Sequence, residues 1–343
     1  MIKALMLSLF CLFFVSCSSL LRYEKKKEEF KIDEFEKKVK IVEIEETKDE
    51  IPNSVKVQPQ PEVTAPVSVV PPPLKSKKAK KQKKNEAVVV LKRQPEVEDS
   101  EGFDNHRRPT IDPFKVGEKV VHRVSYLGAN AGTISFIVKP FASLNGRKNY
   151  NFFMDLKSSS FFTRVFAVDD QIQTYVDYET LEPGAYKLDI RDSNQVKEAR
   201  SYFDFENLRA DYWEHRYTEK GGHQEKKLNW AILPFSQNPF SAIFYMRVFR
   251  WRTDKEYSFR VADDEKNVVF KAKVLEKEKI TTEAGEFDAI KLKAEVTARG
   301  NLAKASDFYM WISDDDRKFV LRIEFKLPVG SLLSEVVEIR DGH

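Results

Sequence analysis

A mainly β fold is what this 343-residue sequence predicts, an antiparallel meander curled into a sandwich or an open barrel with one helix near 239–251. Three observations predict it. Apolar and polar residues alternate with period two in many segments, which places one set of side chains on each face of a strand. Turn-forming residues separate these segments by short connections. A single stretch breaks the alternation with helical spacing.

Taken in chain order, residues 1–16 come first. Lys3, an apolar run from Ala4 to Val15, and Ser16 before Cys17 read as a secretory signal whose cleavage leaves Cys17 as the first mature residue. The run is shorter than the roughly 20 residues a bilayer-spanning helix needs. Phe14-Val15-Ser16-Cys17 resembles the lipobox of bacterial lipoproteins, with Phe14 where Leu is usual. The resemblance implies cleavage between Ser16 and Cys17 and acylation of Cys17; two or more acyl chains make an anchor stable. By the same resemblance, Ser18 rather than Asp favours the outer membrane, with the domain facing the periplasm; the inner membrane and the cell surface are the alternatives. Cys11 lies inside the removed segment, so no second cysteine is left for a disulfide or a thiolate metal site.

Residues 17–110 read as a disordered tether. Charges alternate over 23–50, and Ile32, Phe35, Val39 and Val42 fall at heptad-like spacing, too few for a coiled coil, so a fraying helix is the most expected there. Prolines at 52, 59, 61, 66 and 71–73 favour an extended spacer. Lys75–Lys84 holds seven lysines and no acid. Self-repulsion keeps such a block solvated; it reads either as a soluble spacer or as a contact for anionic lipid, lipopolysaccharide or cell-wall polymer. As a free coil the tether spans about 50 Å, and fully extended about 300 Å.

Residues 111–343 read as one β-rich globular domain, long enough to bury a core without staples. They carry 36 basic and 36 acidic residues, against 21 and 18 in 18–110, and that neutrality argues against nucleic-acid binding. Tyr150, Phe152, Met154 and Leu156 alternate with Asn151, Phe153, Asp155 and Lys157; Tyr186, Leu188 and Ile190 and then Phe319, Leu321, Ile323 and Phe325 do the same. Asn145-Gly146 signals a type I′ hairpin, and Asp263–Asn267 and Asp314–Asp316 signal further turns. Ser236-Gln237-Asn238-Pro239 offers a cap and a proline at the first helical position, after which Phe240, Ile243, Phe244, Arg247 and Trp251 recur at helical spacing.

A set of ordered motifs runs through this region: Gly117-Glu118, Tyr126-x-Gly128 and Ala131-Gly132; the Asn238–Arg247 segment; Thr281-Thr282-x-x-Gly285-x-Phe287-x-Ala289-Ile290-Lys291; Trp311–Asp315; and Pro328–Ser331. Together they resemble the bacterial exported family known as domain of unknown function 3108, over about residues 114–338. The resemblance implies an envelope β-domain and no particular reaction. Asn238 stands where the family pattern has Asp, an exchange that a cap tolerates.

Enzyme signatures are absent: no Gly-x-Ser-x-Gly elbow, no His-Glu-x-x-His helix and no glycine-rich phosphate loop. His122 reads as a satisfied core or rim histidine, His215 and His223 lack metal-ligand spacing, and Asp314–Asp316 reads as a solvated turn rather than a calcium site. No cofactor and no metal are expected. Two functions remain. The first is a binding module for an envelope lipid, glycan or protein; the second is an envelope-modifying hydrolase with an acidic pair that sequence cannot nominate. For the first, the expected ligand-lining residues are Phe240, Phe244, Arg247 and Trp251, with Arg247 meeting the acidic head of an amphiphile. The rival expectation is that Arg247 pairs with a strand carboxylate and the aromatics fill the core.

Overall fold

The computed structural model describes residues 32–44, 107–253, 255–298, 301–302, 308–326 and 330–343. The signal, Ser16 and Cys17, and Lys75–Lys84 lie outside them.

The described N-terminal elements are helix α1 (Asp33–Lys38) and strand β1 (Ile41–Glu43). The domain then runs β2 (Lys119–Tyr126), β3 (Ala129–Leu144), β4 (Arg147–Ser158), β5 (Asp169–Asp177), β6 (Pro183–Arg191), β7 (Gln195–Asp204), β8 (Arg209–Thr218) and β9 (Gly222–Ala231). Helix α2 (Ser241–Tyr245) and a 3₁₀ turn (Met246–Val248) interrupt the strands. There follow β10 (Glu256–Asp263), β11 (Lys266–Thr282), β12 (Gly285–Ala298), β13 (Asn301–Leu302), β14 (Phe308–Ser313), β15 (Val320–Lys326) and β16 (Ser331–Arg340). All pair antiparallel in one sheet, in the order β10-β11-β12-β14-β15-β16-β2-β3-β4-β5-β6-β7-β8-β9, with β13 on β12 and β1 on β3. The meander and its curled, open form are therefore as the sequence predicts, with the C-terminal β16 closing onto β2.

The period-two strands bury the faces expected of them. Tyr150, Phe152, Met154 and Leu156 point into the core with Tyr186, Leu188 and Ile190. Asn145 and Gly146 both have positive φ, 51° and 85°, as a type I′ turn requires. The two end strands, β9 and β10, share no ladder. Side chains hold them close: Asn267 donates to the Ala231 carbonyl at 3.0 Å and Lys226 pairs with Asp264 at 2.8 Å. Residues after β9 turn inward, and Gln237 makes a parallel bridge with Val261 of β10, which covers that edge.

The helix that follows is shorter than the expected 239–251. Asn238 caps it as predicted, its Oδ1 accepting from the Phe240 and Ser241 amides at 2.9 and 2.7 Å. It ends at Val248 because Phe249 is extended, at φ −81° and ψ 147°. Those later residues follow the sheet rather than the helix axis.

Residues 32–44 correct the expected tether. Acidic residues fill the first turn of α1 and lysines its last, which suits the helix dipole. Its apolar side is seated on the outer face of the sheet, where Ile32, Phe35 and Val39 are buried against Leu144, Tyr175 and Trp213. Phe35 is 0 % exposed and meets Trp213 edge-on at 6.2 Å. Trp213 donates to Glu34 at 3.0 Å, Lys38 pairs with Asp211 at 2.7 Å, and β1 extends the ladder opposite Ala142–Leu144. The heptad-like spacing thus marks an intramolecular dock, and it stops at Val42, which is 63 % exposed. The domain boundary also moves: Arg107 is buried and donates to the Tyr245 hydroxyl at 3.0 Å and the Thr180 carbonyl at 2.9 Å.

Candidate functional site

The segment around α2 was the expected ligand site, and the structure fills it. Phe240, Phe244, Arg247 and Trp251 are all buried. Phe244 stacks on Phe152 with centroids 4.1 Å apart, Phe240 meets Tyr186 edge-on at 5.1 Å, and Trp251 donates to the Met246 carbonyl at 3.1 Å. Arg247 is 3 % exposed and grips Glu118 with both Nη atoms, at 2.5 and 3.0 Å. It also donates to the carbonyls of Pro113 and Arg317, each at 3.0 Å. Arg317 bonds the same carboxylate at 2.5 Å. Four of the five guanidinium N–H groups are engaged by protein acceptors, and the side chain is buried away from any ligand head. The void beside it is about 10 Å³, room for one water, which the unpaired Gln237 Oε1 lining it suits. The rival expectation, Arg247 on a strand carboxylate with aromatics in the core, describes the geometry.

His122 and the acidic turn are held by structural partners. His122 is fully buried between the Ser334 hydroxyl at 3.0 Å and the Val320 carbonyl at 2.8 Å. Since a carbonyl can only accept, Nε2 carries the proton and Nδ1 accepts from Ser334. Burial pushes this imidazole down to about 4. Asp315 accepts from the Arg317 and Lys318 amides, which is a hairpin turn. Among the described residues no group of three or more His, Cys, Asp or Glu is placed to hold a metal.

An open site lies elsewhere, at the end of the sheet where β2 meets β3 and β4 meets β5. There Val124, Ile134, Leu156, Val168 and Leu332 form an apolar groove of about 60 Å³. A short strap built on the 3₁₀ turn Phe162–Arg164 completes it with Phe162 and Phe166. On the scale in which one water takes 10–15 Å³, the groove admits a run of about five heavy atoms. Three large apolar side chains stand on its rim: Leu127 is 64 % exposed, Phe161 67 % and Val165 70 %. Asp170 lies opposite Leu156 in the β4–β5 ladder and is buried. Desolvation raises its carboxyl to about 7, against the bond it accepts from the Arg191 amide.

Sequence reasoning passed over this groove because its residues come from four strands and a strap. One signal was available. Ser159–Val168 is a connection between strands, yet it carries Phe161, Phe162, Val165 and Phe166 where polar turn residues belong.

Residues 121–337 match the model of the family described as protein of unknown function (DUF3108). The chain belongs to this family. No curated protein matches the sequence. Among solved structures, a β-barrel-like protein of domain of unknown function DUF1849 from Brucella abortus is similar at 8 % identity and a TM-score of 0.40, covering 67 % of this chain and 99 % of that one. A candidate lipoprotein from Parabacteroides distasonis is similar at 14 % identity and a TM-score of 0.30, with coverage of 67 % and 99 %. A candidate exported protein with a YmcC-like fold from Bacteroides fragilis is similar at 9 % identity and 0.31, with coverage of 67 % and 98 %.

Proposed function

We propose that this DUF3108 protein is an acylated lipoprotein of the cell envelope, anchored through Cys17 in the outer membrane, whose β-domain is a binding module. Its ligand is the apolar tail of an envelope amphiphile, and it enters the groove at the open end of the sheet rather than the cradle of α2. One observation carries this reading: the groove is apolar, open and unfilled, whereas the expected site at Arg247 is closed by Glu118 and packed aromatics. Its volume suits the end of an acyl chain lying along β2, β3 and β4, with the rest of the molecule outside. A drug-sized ligand wants 300–1,000 Å³. The acidic hydrolase is the less supported reading, because Asp170 is held by the Arg191 amide, and Asp192, which lies near enough to raise it, accepts from the Asn194 and Gln195 amides of its own turn.

The test is titration of the full mature chain, with Cys17→Ser to remove its own acyl chains, against a fluorescent lysophosphatidylglycerol below its micelle concentration. Saturable one-to-one binding is expected, and Ala131→Phe, which fills the groove from β3, should weaken it at least tenfold. Equal binding by parent and variant would place the tail elsewhere.

A further inference from the structure

We propose that the same open end is a membrane-docking tip, at which Leu127, Phe161 and Val165 enter the surface of a bilayer. This depends on the acylation of Cys17 only for which membrane is at hand, and it stands apart from whether the groove binds a tail.

Leu127 makes the first argument. The β2–β3 turn has φ of 50° at Leu127 and 78° at Gly128, the same pattern as Asn145-Gly146 at the other end of β3. That turn favours Asn or Gly at its first central position, and a leucine there is strained. Leu181 also has positive φ, at 58°, but it is buried in the core. Leu127 combines the strain with 64 % exposure: its Cδ2 rests against Gly330, and most of the side chain is in water.

The strap makes the second. The strap's hydroxyls bond within it and to the neighbouring strand. The Ser159 hydroxyl donates to the Asn130 carbonyl at 2.8 Å and accepts from the Phe162 amide at 3.3 Å. Ser158 and Thr163 bond each other at 2.9 Å, and the Ala167 amide donates to Ser193 at 2.8 Å. The strap is thereby tied to the β2–β3 turn, and Phe161 and Val165 are held outward. Satisfied polar groups under exposed apolar ones suit a surface that meets lipid.

Charge makes the third. One-third of the chain is charged, yet residues 127–133 and 158–168 contain a single charged residue, the exposed Arg164. An aqueous tip has no reason for that depletion. A lone cation beside exposed apolar groups complements lipid phosphate and repels nothing in an anionic membrane.

Reach makes the fourth. Because Ile32 is docked, only 14 residues lie between it and Cys17, at most about 50 Å of chain. The arm lies near the Arg147 end of β4, and β4 is about 36 Å long at 3.3 Å per residue. A bilayer holding Cys17 is therefore within reach of the tip, and the domain cannot travel far from it.

The experiment is co-sedimentation of the mature chain carrying Cys17→Ser with vesicles of equal parts phosphatidylethanolamine and phosphatidylglycerol. Binding is expected, with Leu127→Ser, Phe161→Ser and Val165→Ser together lowering affinity at least tenfold while the melting temperature stays within a degree or two. Each substituted side chain is mostly in water already, so folding should tolerate the change. A parallel variant replaces the seven lysines of 75–84 by Gln. Loss of binding in that variant but not in the triple one would assign the contact to the lysine block and overturn the proposal, as would failure of the parent to bind. The groove reading is tested separately by lysophosphatidylglycerol without vesicles: Ala131→Phe should abolish that signal and leave vesicle binding intact.

Discussion

Replacing Phe35 by Ser should release the N-terminal arm while the sheet stays folded. Phe35 is the best-buried side chain of the arm and packs on Trp213, Leu144 and Tyr175 with Ile32 and Val39 beside it. Truncating a buried phenylalanine costs about 3–5 kcal/mol. At about 1.4 kcal/mol per tenfold, 3 kcal/mol shifts the ratio of docked to released arm more than a hundredfold. The polar contacts cannot offset this. Lys38–Asp211 and Lys227–Glu34 are half-exposed ion pairs, and such pairs contribute at most about 1 kcal/mol. Because the arm can leave as a unit, the loss to the sheet is limited to the docking free energy. The assay is amide exchange over Val39–Ile44 together with tryptophan fluorescence. Exchange at the β1 amides should rise by two orders of magnitude, and emission should shift to the red as Trp213 is uncovered. Retained protection of β1 with unchanged emission would refute the role given to Phe35, and a parent whose β1 amides already exchange freely would refute the docked arm and restore the long free tether.

Two titrating groups act in opposite senses. His122, held near 4 against 6.5 for a free imidazole, contributes stability that is complete above pH 6.5 and lost as pH falls toward 4, about 3 kcal/mol in all. Asp170, raised to about 7 from 3.8, contributes stability that is complete below 3.8 and lost as pH rises toward 7, on the order of 4 kcal/mol. Urea unfolding of the parent should therefore change little between pH 4 and 6.5, whereas His122→Gln should leave stability falling with pH and Asp170→Asn should leave it rising. Parallel profiles for all three proteins would contradict the assignment. Arg247→Met takes from the buried Glu118 its bidentate partner and leaves Arg317 alone on that carboxylate, and breaking such a pair costs about 3 kcal/mol or more. At the 2–4 °C per kcal/mol usual for a domain of this size, the melting temperature should drop by about 6–12 °C. Lysolipid binding by the folded fraction should not change; weakened binding with an unchanged melt would return the site to α2.

The fold was legible because its signals are local. Alternation in 150–156 and 186–190 and the Asn145-Gly146 turn depend on neighbouring residues, and the strands follow them. Asn238 could be read as a cap for the same reason. What could not be read depends on distant partners. Nothing in Glu118 or Arg317 announces that both will close on Arg247, more than a hundred residues from Glu118 along the chain. Ile32, Phe35 and Val39 show helical spacing but not the face of β3 and β8 that receives them. The groove is assembled from strands at both ends of the domain, β2 to β4 and β16, and only the apolar strap and the leucine in a left-handed turn mark it locally.

The most direct test of the account is amide hydrogen exchange of the mature chain with Cys17→Ser, compared with and without saturating lysophosphatidylglycerol. Protection should rise in residues 124–134, 156–168 and 331–333, the walls of the open groove, and stay constant in 240–251. Protection confined to 240–251, or no change anywhere while the ligand is bound, would contradict it.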